Sequence, residues 1–160
     1  MNLTDLAKLT EKQLPEGSVV AVDPGETTGI AHFRDGVLIQ AEQLQTKDAP
    51  SGAYLVWDWA VECNVRWLVV EEYRVYAWKS KDHSWSTMHT SRLIGGIDTL
   101  AYPWIRSGKV SSYKQSAQTA KTFCTDERLE EWGLWIPGKQ HARDAIRHAC
   151  YFSLFGDHAR

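Results

Sequence analysis

Cysteine, net charge and long apolar runs are all scarce in this chain, and each scarcity argues against something. There are three cysteines in 160 residues, Cys63, Cys124 and Cys150, an odd number with no metal-type spacing. That argues against a disulfide framework and against zinc, and fits a reducing, cytoplasmic setting. No apolar run approaches the roughly 18 residues of a membrane span, so no membrane partner is expected. The opening Met1-Asn2-Leu3-Thr4-Asp5-Leu6 has neither the basic flank nor the apolar core of a signal peptide. A formal net charge of −2 does not by itself advertise nucleic-acid binding. The chain also lacks internal repeats, low-complexity segments and long linkers.

What is present is an ordinary globular composition, 43% apolar and 24% charged, in a chain long enough for one domain with a real core. Charge is unevenly spread. From Thr99 to Thr125 there is no acidic residue, while Arg106, Lys109, Lys114 and Lys121 all fall there. Such a local basic zone can hold a phosphate backbone or can simply be a solvated face.

The most informative stretch is Val19-Val20-Ala21-Val22-Asp23-Pro24-Gly25-Glu26-Thr27-Thr28-Gly29. It is an apolar β-run that ends in a carboxylate and then breaks at Pro-Gly. Asp23 therefore sits at the carboxyl end of a buried strand, where α/β proteins place their chemistry. Residues 2–14 carry leucines at weak helical spacing, and residues 1–17 are read as a short helical extension to a single domain over 18–160. Strands are predicted at 18–23, 29–34 and 37–43, the last two joined by the hairpin signal Asp35-Gly36. A helix follows at 51–63, then a second buried strand, Arg66-Trp67-Leu68-Val69-Val70-Glu71-Glu72. A helix is predicted at about 85–101 and closed by Pro103, then a strand at 109–113, helical segments at 114–121 and 126–133, and a last helix at 139–155. Three hairpin-linked strands followed by alternating β and α give an α/β fold with one mixed sheet flanked by helices.

Two further groups stand out. Glu71 and Glu72 end the second apolar run, and alternation allows only one of them to aim at Asp23. In His141-Ala142-Arg143-Asp144-Ala145-Ile146-Arg147-His148-Ala149, positions 141, 144 and 148 fall within an arc of roughly 60° on one helix face, with Arg143 and Arg147 on the other side. Three carboxylates converging from separate elements are costly. Two charges ~4 Å apart repel by about 1 kcal/mol in water and about 4 at an effective dielectric near 20. A bound divalent cation turns that cost into a gain, and oxygen ligands with open positions suit Mg²⁺ or Mn²⁺.

The Asp-Pro-Gly at 23–25 with Thr28-Gly29, the strand ending at Glu71, and the His-x-x-Asp of His141 and Asp144 together resemble RuvC-type Holliday-junction resolvases of the ribonuclease H-like superfamily, in a phage-like form. The resemblance spans about 18–155. It implies a ribonuclease H-like mixed sheet and a homodimeric endonuclease cutting four-way junctions and other branched DNA, in bacterial or phage-infected host cytoplasm. It aligns the family's strand-ending glutamate with Glu71 rather than Glu72. It implies a catalytic and metal-binding set of Asp23, Glu71, Asp144 and His141, holding two Mg²⁺ ions (with Mn²⁺ as substitute) about 3.5–4 Å apart, with Asp23 between them. His141 is left with three roles: orienting water, moving a proton or binding metal. His148 has no matched counterpart.

Two more segments extend the likeness. Arg92-Leu93-Ile94-Gly95-Gly96-Ile97 resembles the family's glycine-containing dimer helix, and its two mid-helix glycines call for close packing. Val110–Ala117 resembles a strand and Lys-Gln turn near the DNA cleft, which makes Lys114 and Lys121, with Arg92, candidate phosphate contacts. Trp57, Trp59, Trp67 and Trp104 are read as core. Trp78 and Trp85 flank the polar loop 79–84, where base stacking and ordinary packing both remain open. Two other readings of the chain stay in view: a related nuclease acting on RNA or other nucleic-acid intermediates, and a branched-DNA-binding module without catalysis.

Overall fold

The computed structural model describes residues 2–74 and 85–158, the side chains of 85–87 excepted. Trp78, the loop 79–84 and the side chain of Trp85 thus lie outside the described residues. Five strands form one sheet: β1 (Ser18–Asp23), β2 (Thr27–Arg34), β3 (Val37–Gln45), β4 (Val65–Glu71) and β5 (Ser111–Gln115), in the order β3-β2-β1-β4-β5. The first three pair antiparallel, β4 then adds in parallel to β1, and β5 in parallel to β4. This is the expected mixed α/β sheet. Asp35 and Gly36 both take positive φ, 51° and 80°, the backbone that a tight two-residue hairpin between β2 and β3 requires.

Six helices complete the described chain: α1 (Leu3–Leu9), α2 (Ala49–Glu62), α3 (Trp85–Arg106), α4 (Ala117–Phe123), α5 (Asp126–Glu131) and α6 (Gln140–Phe155). Strand alternation sorts the core into two layers. Val20, Val22, Leu68 and Val70 face α2 and α3, while Val19, Ala21, Trp67 and Val69 face α6. The α6 layer also takes in Leu3 and Ala7 of α1.

Most boundaries shift by one or two residues from those expected, and three of the differences have a clear local cause. Pro103 lies inside α3 rather than closing it. Proline removes one backbone donor, but the buried stripe of Leu93, Ile97 and Ala101 continues past it into Trp104 and Ile105, which pack against the same core. Packing of that last turn outweighs the missing bond. Strand β5 starts two residues late, so Lys114 lies in the strand and not in a helix. The next helix begins only at Ala117, where the Ser116 hydroxyl accepts from the Thr119 amide. Of the adjacent glycines in α3, Gly96 answers the packing expectation, since an added Cβ would meet the Ala53 Cβ at 2.7 Å. Gly95 has open space around it, and nothing in the packing explains it.

Gly29 has the tightest surroundings. A Cβ there would stand 1.8 Å from the backbone carbonyl oxygen of His141, so α6 crosses β2 where β2 has no side chain. Gly29→Ala is expected to push the start of α6 outward, costing about 1–3 kcal/mol or more and displacing His141. Urea unfolding checks this. An unchanged midpoint would mean that α6 relaxes without penalty.

Candidate metal and active site

Strands β1 and β4 are parallel neighbours at the centre of the sheet, so Asp23 and Glu71 end at the same edge. Both have the alternation parity of the α6 layer, following Val19, Ala21 and Trp67, Val69. Glu72 has the opposite parity. It pairs instead with Arg74, whose Nε and Nη2 each lie 2.7 Å from its Oε2. The competition between Glu71 and Glu72 is therefore resolved geometrically, by which face α6 covers.

Helix α6 lays Ala142, Ala145, Ile146 and Ala149 against the sheet. Its start is fastened to the edge strand β3. Lys139 offers no side-chain cap, so Gln43 Oε1 accepts from the His141 amide at 3.0 Å, and Lys139 pairs with Glu42 at 2.8 Å. These bonds set the helix so that His141 Nδ1 meets Asp23 Oδ2 at 2.9 Å and His148 Nε2 meets Glu71 Oε2 at 2.9 Å. The turn after Asp23 is held from behind. Thr46 donates its hydroxyl to the Gly25 carbonyl at 2.6 Å and lies 2.7 Å from the Thr28 hydroxyl, while His89 reaches the Thr46 carbonyl at 2.6 Å.

Four predicted residues thus come together directly: Asp23, Glu71, His141 and His148. One ligand atom each from Asp23, Glu71 and His148 lies within 4.8 Å of the other two. Asp144 is close by and buried, but differently engaged. Its Oδ1 accepts from Arg147 Nη1 at 2.5 Å, and its Oδ2 lies 3.1 Å from Lys121 Nζ. The helical arc put Arg147 on the opposite side. In fact its side chain curls back over one turn to Asp144, and it also donates Nε to the Cys124 carbonyl at 2.9 Å and pairs with Asp126.

The proposed phosphate contacts are scattered. Lys121 sits within the acidic cluster, about half exposed. Lys114 pairs with Asp98 at the surface. Arg92 is exposed on α3, and its charge helps hold the Asp48 carboxyl down, after the stronger hydrogen bonds from Ser51. Sequence reasoning missed Arg147, Gln43 and Thr46. Only Arg147 left a signal, its i,i+3 spacing from Asp144. The partners of Gln43 and Thr46 are distant in sequence.

The electrostatics are those of a site short of positive charge. Burial pushes the Asp23 carboxyl up to about 6; the His141 hydrogen bond opposes this, and Glu71 and Asp144 reinforce it. Burial also works to raise Glu71, but the hydrogen bond and charge of His148 outweigh it and hold Glu71 below the usual range. The hydrogen bond to Asp23 raises His141 against its own burial. Lys121 is raised too, because Asp144, Glu71 and Asp23 outweigh its desolvation. Two carboxylates and an imidazole form a donor set suited to a hard or borderline divalent cation. The raised Asp23 carboxyl is an unbalanced negative charge that such a cation would relieve. The trio fits a divalent ion.

No protein-family model matches the sequence, and no curated protein matches it. Solved structures do. T. thermophilus RuvC in complex with a Holliday junction substrate is similar at a TM-score of 0.63 and 16% identity, over 84% of this chain and 91% of that one. The yeast mitochondrial Holliday junction resolvase Ydc2 is similar at 0.55 and 12%, over 90% of this chain and 80% of that one. At these identities the likeness is one of fold, and the chain has the ribonuclease H-like fold of those resolvases.

Proposed function

We propose that the protein is a divalent-metal-dependent, structure-selective endonuclease that resolves four-way junctions and related branched DNA, acting as a homodimer. The observation that carries this reading is the compact trio of Asp23, Glu71 and His148 at the strand-end edge, on a fold shared with RuvC solved on a Holliday junction substrate. The same fold hosts many activities, so the site has to make the argument. Asp23, Glu71 and His148 would hold a divalent ion, Mg²⁺ or Mn²⁺, with Asp144 and His141 beside it. Such an ion supplies charge that stabilises a phosphodiester undergoing displacement and lowers the pKa of water.

The chain's own groups do the rest. His141, with its side chain 45% exposed, shares a hydrogen bond with Asp23 through Nδ1 and faces the solvent side of the site, where it serves as a proton carrier. Lys121 presents its ammonium beside Asp144 and meets a phosphate oxygen. Thr46 and His89 keep the Asp23 turn in register, and a site built on strand ends needs that rigidity. Two copies, each bearing one site, account for paired cuts across a junction.

The test is cleavage of labelled four-way junction, fork, flap and plain duplex with Mg²⁺, Mn²⁺ or EDTA. Paired nicks in the junction that EDTA abolishes are the expected result. Preference for a fork, flap or RNA-containing control would keep the chemistry and change the substrate. Tight junction binding with no cleavage in either metal would overturn catalysis in favour of a binding module.

A further inference from the structure

We infer that the site takes one divalent ion per chain, on Asp23, Glu71 and His148, and that Lys121 and Arg147 supply at Asp144 the positive charge a second ion would otherwise bring. This rests on the metal-dependent reading above and departs from the two-ion arrangement that the sequence resemblance implied.

The geometry divides the cluster in two. On one side stand Asp23, Glu71 and His148, with ligand atoms within 4.8 Å of one another. His148 is fully buried, so its ring is fixed by packing as well as by Glu71. On the other side both oxygens of Asp144 already have cationic partners, Arg147 on Oδ1 and Lys121 on Oδ2. Arg147 is not free to leave. Its side chain is 9% exposed, Nε is committed to the Cys124 carbonyl, and the other terminal nitrogen is committed to Asp126. Turning Asp144 Oδ1 to an ion would take from this buried guanidinium one of its two carboxylate partners and leave Nη1 unpaired.

Charge balance points the same way. Asp23, Glu71 and Asp144, with the half-exposed Asp126 at the rim, face two fixed cations, Lys121 and Arg147. One divalent ion neutralises that set, whereas two would leave a double positive charge beside the buried Arg147. An imidazole as the third donor, where a carboxylate would add charge, favours the lower count again. Lys121 has an open side: with Gln140, Arg143 and Asp144 it lines a pocket of about 420 Å³. Its remaining N–H groups are therefore available to a phosphate oxygen while Asp144 anchors the ammonium.

Ion counting on the full chain without nucleic acid tests this, using Mn²⁺ titration followed by the free-ion EPR signal and by calorimetry. Wild type is expected to bind one ion. His148→Asn should weaken it by about tenfold or more, and Asp144→Asn should keep it. Lys121→Gln, at a half-exposed side chain that does not threaten the fold, should raise the count to two by freeing Asp144 Oδ2. Circular dichroism confirms that each variant is folded, and His148→Gln stands in if His148→Asn is not. Two ions on wild type, no ion at all, or an ion lost in Asp144→Asn but kept in His148→Asn would each overturn the inference. A Lys121→Gln chain that still binds one ion would overturn the part given to Lys121. The cleavage panel separates this from the wider reading: two ions with junction cleavage defeats only the inference, and one ion without any cleavage defeats only the nuclease.

Discussion

Asp23→Asn is expected to abolish metal-dependent cleavage and, in metal-free buffer at neutral pH, to make the protein more stable. The two effects share a cause. Asp23 is 7% exposed, and its carboxyl titrates near 6 in the folded chain against an ordinary 3.8, because burial and the neighbouring Glu71 and Asp144 disfavour its charge while His141 only partly compensates. The folded state thus holds the proton more tightly than the unfolded chain. Stability contributed by this group is highest below roughly pH 4, falls as pH rises through roughly 4–6, and is lower by about 3 kcal/mol at pH 7. Asparagine keeps the shape and carries no charge. We expect a gain of about 1–3 kcal/mol at pH 7.5, at about 2–4 °C in Tm per kcal/mol for a chain of this size, shrinking towards nothing at pH 4. Cleavage should fall by roughly 10²–10³ or more, the scale of losing a main electrostatic group. Adding Mg²⁺ should raise the Tm of wild type and leave the variant unmoved. Thermal melts at the two pH values and the junction assay decide it: an active variant removes Asp23 from the mechanism, and a destabilised one removes the account of its pKa.

Arg147→Ala carries the largest expected stability loss. It leaves Asp144, whose side chain is 6% exposed, with only Lys121 as a partner. It also strips the Cys124 carbonyl of its donor and Asp126 of its guanidinium. Breaking a buried ion pair from one side costs about 3–5 kcal/mol; because Lys121 remains, the lower half of that range is expected. The diagnostic measurement is a double-mutant cycle in urea. Arg147→Ala combined with Asp144→Asn should recover a substantial part of the loss, because the stranded charge is gone. Strict additivity would show that Arg147 contributes only packing.

Much of this site follows from local rules. An apolar run that meets Asp23 and breaks at Pro24-Gly25 makes a strand that ends in a carboxylate, whatever surrounds it, because β-geometry and the proline-glycine turn act over a few residues. The same holds for the run into Glu71 and Glu72, the Asp35-Gly36 hairpin, and the helical spacing that sets His141, Asp144 and His148 on one face. The α/β class and the mixed sheet followed from those elements, whereas the order β3-β2-β1-β4-β5 came from the fold, and Pro103 misled because packing against Trp104 and Ile105 lies outside what a proline's own geometry reports.

Only the tertiary structure decided which partner each charged group takes. Glu71 prevails over Glu72 because α6 covers one face of the sheet. His148 meets Glu71, and Asp144 meets Arg147 and Lys121, because side-chain reach across a helix turn and between helices depends on separations that sequence spacing does not encode. Gly29 was legible as the first residue of a strand, but its closest neighbour, the His141 carbonyl, lies more than a hundred residues away along the chain. Electrostatic energies vary steeply with distance and burial, so the division of the cluster into a metal-fitting trio and a neutralised Asp144 had to wait for the packed fold.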